Sequence, residues 1–471
     1  MKTFRTGRWL FLTVLLAAVL LLGVRDPGIS PASAADAKIR PKKTSTGQSF
    51  VEQTVVETAP APAAPPTGFD SERVMSGQDD WEPANAVDPI NPNFVYQLTT
   101  RYSGPTACKS CKLPAIIFRA SSDGGATWRA DQFIEASGKT QNDPEIEVAT
   151  TGVVYAVWLD AFVPGATFSK SMDRGATWST PISFTGRGTK PSYSDKPILA
   201  ISRDGQHVYI AFNAGDSWVV SSHDFGNSFS APVKTNTDSR QWFHNGGAVS
   251  PANGNVVYFG AADFSGNYTG DANADVIRST DGGMTWTTAR VDTSRQMPAC
   301  PWAPGCYLGF FGTSNAIAID PAGTLMIAYH VNATAGAPEQ MYVRTSTDGL
   351  NWSARTQVSD PSPSVNNAFP AIAAGPTAGD FRVTWQDDRN GSTTTWNTWY
   401  RRTSDGGGSF GTAVRLSDLG RGAPYKTSAG YAFPYGDYFE MAVDSNGRNH
   451  IIWGEGTSYN GPGGTWYTRG Q

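Results

Sequence analysis

The stretch Ser121-Ser122-Asp123-Gly124-Gly125-Ala126-Thr127-Trp128 decides how the rest of the chain is read. It returns as Ser171 to Trp178, Ser222 to Phe229, Ser279 to Trp286 and Thr403 to Phe410. A copy one residue shorter runs from Ser346 to Trp352. The shared text is Ser/Thr-x-Asp-x-Gly-x-Ser/Thr-Trp/Phe. Each part suits a tight turn between two strands. The Asp accepts hydrogen bonds from the turn's own N–H groups. The Gly takes a conformation closed to a residue with a Cβ, and the aromatic ring buries the turn against its sheet. One copy means a hairpin. Copies with Asp at 123, 173, 224, 281, 348 and 405 mean a repeat of about 50 to 65 residues.

These residues resemble the Asp-box, or BNR, repeat of sialidases and related β-propellers, over nearly the whole chain after the leader. The resemblance implies an all-β propeller with its functional face opposite the box turns. In that family the box is a structural staple shared by hydrolases, lyases and binding proteins, so it speaks for the fold more than for an activity.

Working outward, Met1 to Ala34 reads as a signal peptide. Lys2, Arg5 and Arg8 precede the apolar run Trp9 to Val24, and Ala32-Ser33-Ala34 offers a cut near Ala34. A retained anchor is the alternative, although the run is short for a span. The expectation is a secreted or extracytoplasmic chain, with no membrane after cleavage. Removing Lys2, Arg5, Arg8, Arg25 and Asp26 leaves 33 basic and 40 acidic residues, a formal charge of −7. That balance, with no basic run, excludes nucleic acid as the expected partner. Residues 35–68 form an N-terminal segment with a Pro-rich linker (Ala59 to Gly68), and 69–471 the propeller, read as a monomer.

Each repeat carries strand text such as Val153 to Trp158 or Arg382 to Trp385, giving four antiparallel strands per blade. Six blades end near Ser137, Arg187, Asp238, Arg295, Asp360 and Leu419, and a seventh starts near Tyr431. Trp466 to Arg469 parallels Trp399 to Arg402, yet no repeat turn follows it. Gly47, Ser49 and Phe50 match a turn with Ser45 at the Asp position, so 50–56 is expected to pair with 465–469. A chance match in a polar tail is the alternative. The fold class is therefore a seven-bladed propeller closed by an N-terminal strand, without exposed sheet edges.

Chemistry is sought in the loops at the end opposite the repeat turns. Residues before the inner strands gather at the channel mouth: Asp79 to Glu82, Asn142-Asp143, Ser194 to Lys196, Trp242 to Asn245, Asn366-Asn367 and Tyr435 to Tyr438. Asp160, Asp263, Asp387 and Glu455 fall at equivalent ends of second strands, and Arg101 matches Arg389. They form either a sugar or cation site or a solvated, self-paired rim. Family sialidases hold a carboxylate with three arginines, and use a tyrosine nucleophile activated by glutamate with an aspartate acid/base. By that resemblance Tyr438 and Glu440 suit the Tyr–Glu pair and Arg389 and Arg101 the carboxylate clasp; loop position adds Asp143 to the catalytic candidates, and Asp195, His244 and Asp387 to the substrate-binding ones. Tyr438 and Glu440 share one side of a strand, a placement that suits packing equally. The family's early Arg-Ile-Pro signature is missing, Arg119 lies toward the box end, no third arginine is named, and seven blades replace the usual six.

The histidines, 207, 223, 244, 330 and 450, show no metal-ligand spacing, and no metal or cofactor motif is found. Cys108/Cys111 and Cys300/Cys306 read as two local disulfides in an exported chain, with cross-pairing, or a redox or zinc Cys-x-x-Cys, as alternatives. Two functions follow: a sialidase-like glycoside hydrolase acting from the chain end of anionic glycans, or a non-catalytic propeller binding a glycan, cell-surface carbohydrate or protein. A polysaccharide lyase is a third.

Overall fold

Val154-Tyr155-Ala156-Val157-Trp158-Leu159-Asp160 shows why the chain makes blades. Six of its seven residues are buried, on both faces, so the strand must lie inside a stack of sheets. The structure is a computed structural model. It describes residues 41–43, 49–51, 64–76, 78–161, 165–185, 195–264, 270–295, 313–390, 396–418, 426–427, 430–431, 438–456 and 463–471. The leader, Cys300, Cys306 and residues 52–63 lie outside these ranges.

Seven four-stranded antiparallel sheets follow one another within the unit Ile39–Gln471. Their inner strands are Asp80–Val87, Gln141–Val148, Ile198–Ile201, Gln241–Val249, Asn315–Ile319, Asn367–Ala374 and Glu440–Val443. The core sits between neighbouring sheets. Leu98, Ile116 and Phe118 of blade one pack on Ile146, Ala156 and Trp158 of blade two. Six of the seven outer strands are two or three residues long, as at Gln132–Phe133; that of blade four, Thr287–Ser294, is longer.

The repeat turns close third strands to fourth strands and are built alike. In the second, Ser171 Oγ donates to Asp173 Oδ1 at 2.8 Å, and Thr177 donates its N–H and hydroxyl to the same carboxylate at 2.8 and 2.6 Å. Gly175 N donates to Ser171 Oγ at 2.7 Å. Gly175 has φ +83°, and a Cβ there would overlap the Phe118 ring of the preceding blade. Trp178 meets the same ring edge-on, 5.2 Å between centroids. At Gly283 (φ +88°) a Cβ would overlap Ser221, again one blade back. The glycine is thus required both by its dihedral and by the closeness of the seam. Each turn staples its blade to the one before.

The ring is closed from the N-terminal side, but not by the expected segment. Arg73 and Val74 pair with Tyr467 and Trp466, while Phe50 pairs with Lys42 in a separate hairpin. Arg73 explains the choice. Its guanidinium lies 5.1 Å from the Tyr467 ring centroid and donates to Ala126 O at 2.7 Å and to Gly125 O, both in the first repeat turn. One residue thereby ties blade seven to blade one, and nothing in 50–56 offers such a fork of donors.

Candidate functional site at the channel mouth

Strand register puts one residue of each blade at a common level. Ala84, Glu145, Ile198, Gly246, Ala316, Ala371 and Glu440 each pair with the fourth residue of their second strand. Two residues earlier stand Glu82, Asp143, Lys196, His244, Ser314, Phe369 and Tyr438. This upper ring is the mouth of the channel.

Four of its members have left-handed backbones: Glu82 (φ 52°), Asp143 (52°), Lys196 (40°) and Phe369 (54°). Each precedes a proline, at 83, 144, 197 and 370. In blades one, two and six the pairing slips there, between Trp81 and Ala84, Asn142 and Glu145, and Ala368 and Ala371. A left-handed non-glycine residue costs about 1–2 kcal/mol, and such strain gathers at ligand sites. The bulge re-aims a side chain that would otherwise pack between blades.

Lys196 of blade three reaches across to blade seven, where its ammonium sits 4.7 Å from the centre of the Tyr438 ring. Its N–H lies 3.5 Å from Asp143 Oδ2, and Tyr438 Oη is 3.5 Å from Pro144 O. Burial, then the carboxylates of Asp143, Glu82, Glu440 and Glu145, push the Tyr438 phenol well above its ordinary value. Tyr102 is pushed up likewise by burial, Glu82 and Asp143, and its hydroxyl accepts from Asn142 Nδ2 at 2.9 Å. His330 lies behind the mouth, its imidazole 6.4 Å from the Phe369 ring. Burial and the charge of Lys196 push it down to about 3, so it stays neutral.

One level down, the carboxyls of Glu145 and Glu440 hydrogen-bond each other, and Glu440 Oε2 accepts from Asn85 N at 2.7 Å. Burial pushes Glu440 up to about 8, partly offset by the Asn85 N–H. Burial, then the charge of Glu440, pushes Glu145 well above the usual carboxylate range. Two acids this close share one proton rather than both ionise. Glu147, two residues deeper, is pushed up to about 7 by burial. These groups line a cavity of about 110 Å³ with Asn85, Lys196 and Tyr438, room for several waters. Among the described residues, its lining holds one cation, Lys196, and no arginine.

Of the catalytic candidates, the structure brings Asp143, Tyr438 and Glu440 together. The substrate-binding candidates are elsewhere. Arg389 is held by Asp387 and Asp360, both at 2.7 Å, and stacks 3.8 Å from the Trp399 ring centre. Asp387 is spent on that pair and on Trp385 Nε1. Arg101 bonds Asp80 (2.8 Å) and Asp131 (2.5 Å), and Arg119 joins the same two carboxylates. Asp160 pairs with Lys139, Asp263 with Arg240 and Arg290, and Glu455 accepts from Trp453 Nε1. The second-strand ends are therefore a self-paired rim. His244 shares the upper level in sequence but turns its ring to Ser217 Oγ at 2.8 Å, and burial pushes it down to about 3. Asp195 is buried, and its N–H donates to Asn213 Oδ1 at 2.6 Å. Cys108 and Cys111 are bridged. Among the described residues no group of three His, Cys, Asp or Glu side chains is placed to hold a metal ion.

Sequence reasoning placed Glu82 and Lys196 at the mouth without choosing them, and missed Glu145, Glu147 and Phe369. The signal for Glu82, Asp143, Lys196 and Phe369 was present: a residue before proline at the same offset in four blades.

No protein-family model matches the chain, and no curated protein does. Among solved structures it is similar to a protein of unknown function from Dyadobacter fermentans, with 12% identity over 85% of this chain and 98% of that one and a TM-score of 0.48. It is similar to the intramolecular trans-sialidase of Ruminococcus gnavus in complex with oseltamivir carboxylate, with 12% identity, 83% and 94% covered, TM-score 0.43. A third is YCF48 bound to D1 peptide, with 12% identity, 88% and 99% covered, TM-score 0.45. Likeness at this level says nothing about chemistry; the seven blades stand on the strand pairing itself.

Proposed function

We propose that the chain is an exported, glycan-directed Asp-box propeller that holds a neutral or cationic ligand at its channel mouth. One observation supports this above others: Tyr438, Glu82 and Asp143 converge there from three blades, while Arg101, Arg119 and Arg389 are consumed by carboxylates elsewhere. Aromatic faces and carboxylate acceptors suit the apolar face and hydroxyls of a sugar. An anionic sugar would meet a surplus of negative charge. The leader carries the export part of the proposal. The test is a glycan array with the purified protein beside a panel of fluorogenic sialosides. Neutral glycans are expected to be retained, and sialosides to be neither retained nor cleaved. Sialoside cleavage that disappears in Tyr438→Phe would reject the binding reading.

Hydrolysis is a second reading with its own support. The Glu145–Glu440 pair keeps a carboxylic acid protonated near neutral pH, which a general acid needs. The raised Tyr438 phenol works against a nucleophilic tyrosine, so this reading favours acid chemistry by Glu440 on a neutral glycoside. Turnover that survives Tyr438→Phe but not Glu440→Gln is its expected signature.

A further inference from the structure

We infer that the mouth contains a subsite for a primary ammonium group, carried by an unacetylated amino sugar, and that Lys196 is the chain's own occupant of it. The inference rests on the glycan reading of the mouth and names its ligand class.

Lys196 is the observation that points to a ligand. A lysine on a channel rim gains most hydration by extending into water. This one crosses from blade three to place its ammonium over Tyr438, 4.7 Å from the ring centre. The ring's negative face attracts a cation there, and the phenol stands in the field of Asp143 and Glu82. The residue is bent into place by a left-handed backbone (φ 40°) before Pro197. Aromatic face, acidic neighbours and a strained support together form a cradle for a compact monovalent cation. A ligand ammonium over the same ring would meet the same aromatic face and the same acidic field.

The cavity beneath favours a sugar over a peptide lysine. Asn85, Glu145 and Glu440 line it beside Tyr438, offering amide and carboxyl oxygens as acceptors to ring hydroxyls; a lysine side chain would bring only methylenes. An N-acetyl group removes the charge and adds bulk, so the acetylated sugar is the natural contrast.

The test is titration calorimetry of the full chain with a glucosamine trimer, its fully N-acetylated counterpart and trilysine. The native chain is expected to bind the amine form about tenfold more tightly than the acetylated form, the ratio that about 1.4 kcal/mol of cation–π and charge attraction gives. Lys196→Met, which removes the internal competitor, should tighten the amine form further and leave the acetylated form unchanged. Equal affinity of the native chain for both sugars overturns the inference whether or not the variant folds. So does trilysine binding as tightly as the sugar, or a folded Lys196→Met variant with unchanged amine affinity. Retention of neutral glycans without amine preference defeats the subsite alone; failure to bind any glycan defeats the reading of the mouth as well.

Discussion

The two ends of this propeller treat carboxylates in opposite ways. In the repeat turns Asp173 is pushed down to about 2 by the hydroxyl and N–H of Thr177, and Asp224 to about 2 by those of Ser228. At the channel Glu440 is pushed up to about 8 and Glu147 to about 7, with burial the leading cause in both. One residue class serves two ends. Where the chain supplies donors, the acid is a charged staple; where it supplies burial and other acids, the acid keeps its proton. The repeat makes the first environment six times over. The second arises where the blades differ.

The largest expected effect lies at the stapled end. Gly175→Val adds a Cβ at φ +83° against the buried Phe118 ring, and should cost about 2–5 kcal/mol in urea unfolding. A cost within error would mean the turns are not what joins the blades. Asp281→Ala removes an acceptor of bonds from Ser279, Met284 and Thr285. It should cost about 1–2 kcal/mol, discounted for partial exposure, and leave glycan binding intact. Lost binding with unchanged stability would invert the comparison.

The pH dependence follows from linkage. A carboxyl raised in the folded state binds its proton more tightly there than in the unfolded chain. The Glu440 contribution is therefore full below about 4.5 and is lost as pH rises toward about 8. Glu72, raised to about 10 by burial and then Glu455, and Asp275, raised to about 7 by burial and then Asp263, add to the same limb. The turn aspartates act oppositely: their contribution is present above 3.8 and lost as pH falls through about 2. Melting temperature should therefore peak in mildly acidic buffer, and Glu440→Gln should flatten part of the neutral limb. A native curve rising steadily from pH 5 to 8 contradicts the assignment. The smallest change in stability belongs to Tyr438→Phe, within about 0.5 kcal/mol, because the ring remains beneath Lys196; calorimetry of that variant separates the hydroxyl's part in ligand binding from its part in the fold.

Much of this architecture was legible in the residues. The six repeat turns, four strands per blade and the seventh blade without a turn are local or periodic, and a short window of sequence suffices for them. The closing strand was not legible. Gly47, Ser49 and Phe50 satisfy the local pattern, but the choice of partner was made by the Arg73 guanidinium, which needs Tyr467 and Ala126 in view at once. The site divides the same way. Tyr438, Glu440 and Asp143 came together because chain direction fixes which end of a blade a loop occupies. For Arg389 and Arg101 the choice between site and self-paired rim stayed open, because a free arginine and one held by Asp387 or Asp80 read alike until their partners are placed.

The seam between Arg73 and Tyr467 also sets an order of events. Thr468 Oγ1 donates to Asp70 O across 398 positions of chain, so almost the whole polypeptide lies between the two halves of the clasp. Closing so long a loop carries an entropic cost that local turns do not, and structures dominated by distant contacts form slowly. Six blades can assemble as each becomes available, but the seventh waits for residues near the end of the chain. Until then its second strand, Asn449–Gly456, presents an open edge, the state most exposed to pairing with another copy. The clasp is therefore a checkpoint on completeness: a chain cut short of Thr465 lacks the partner strand and is left as an open arc.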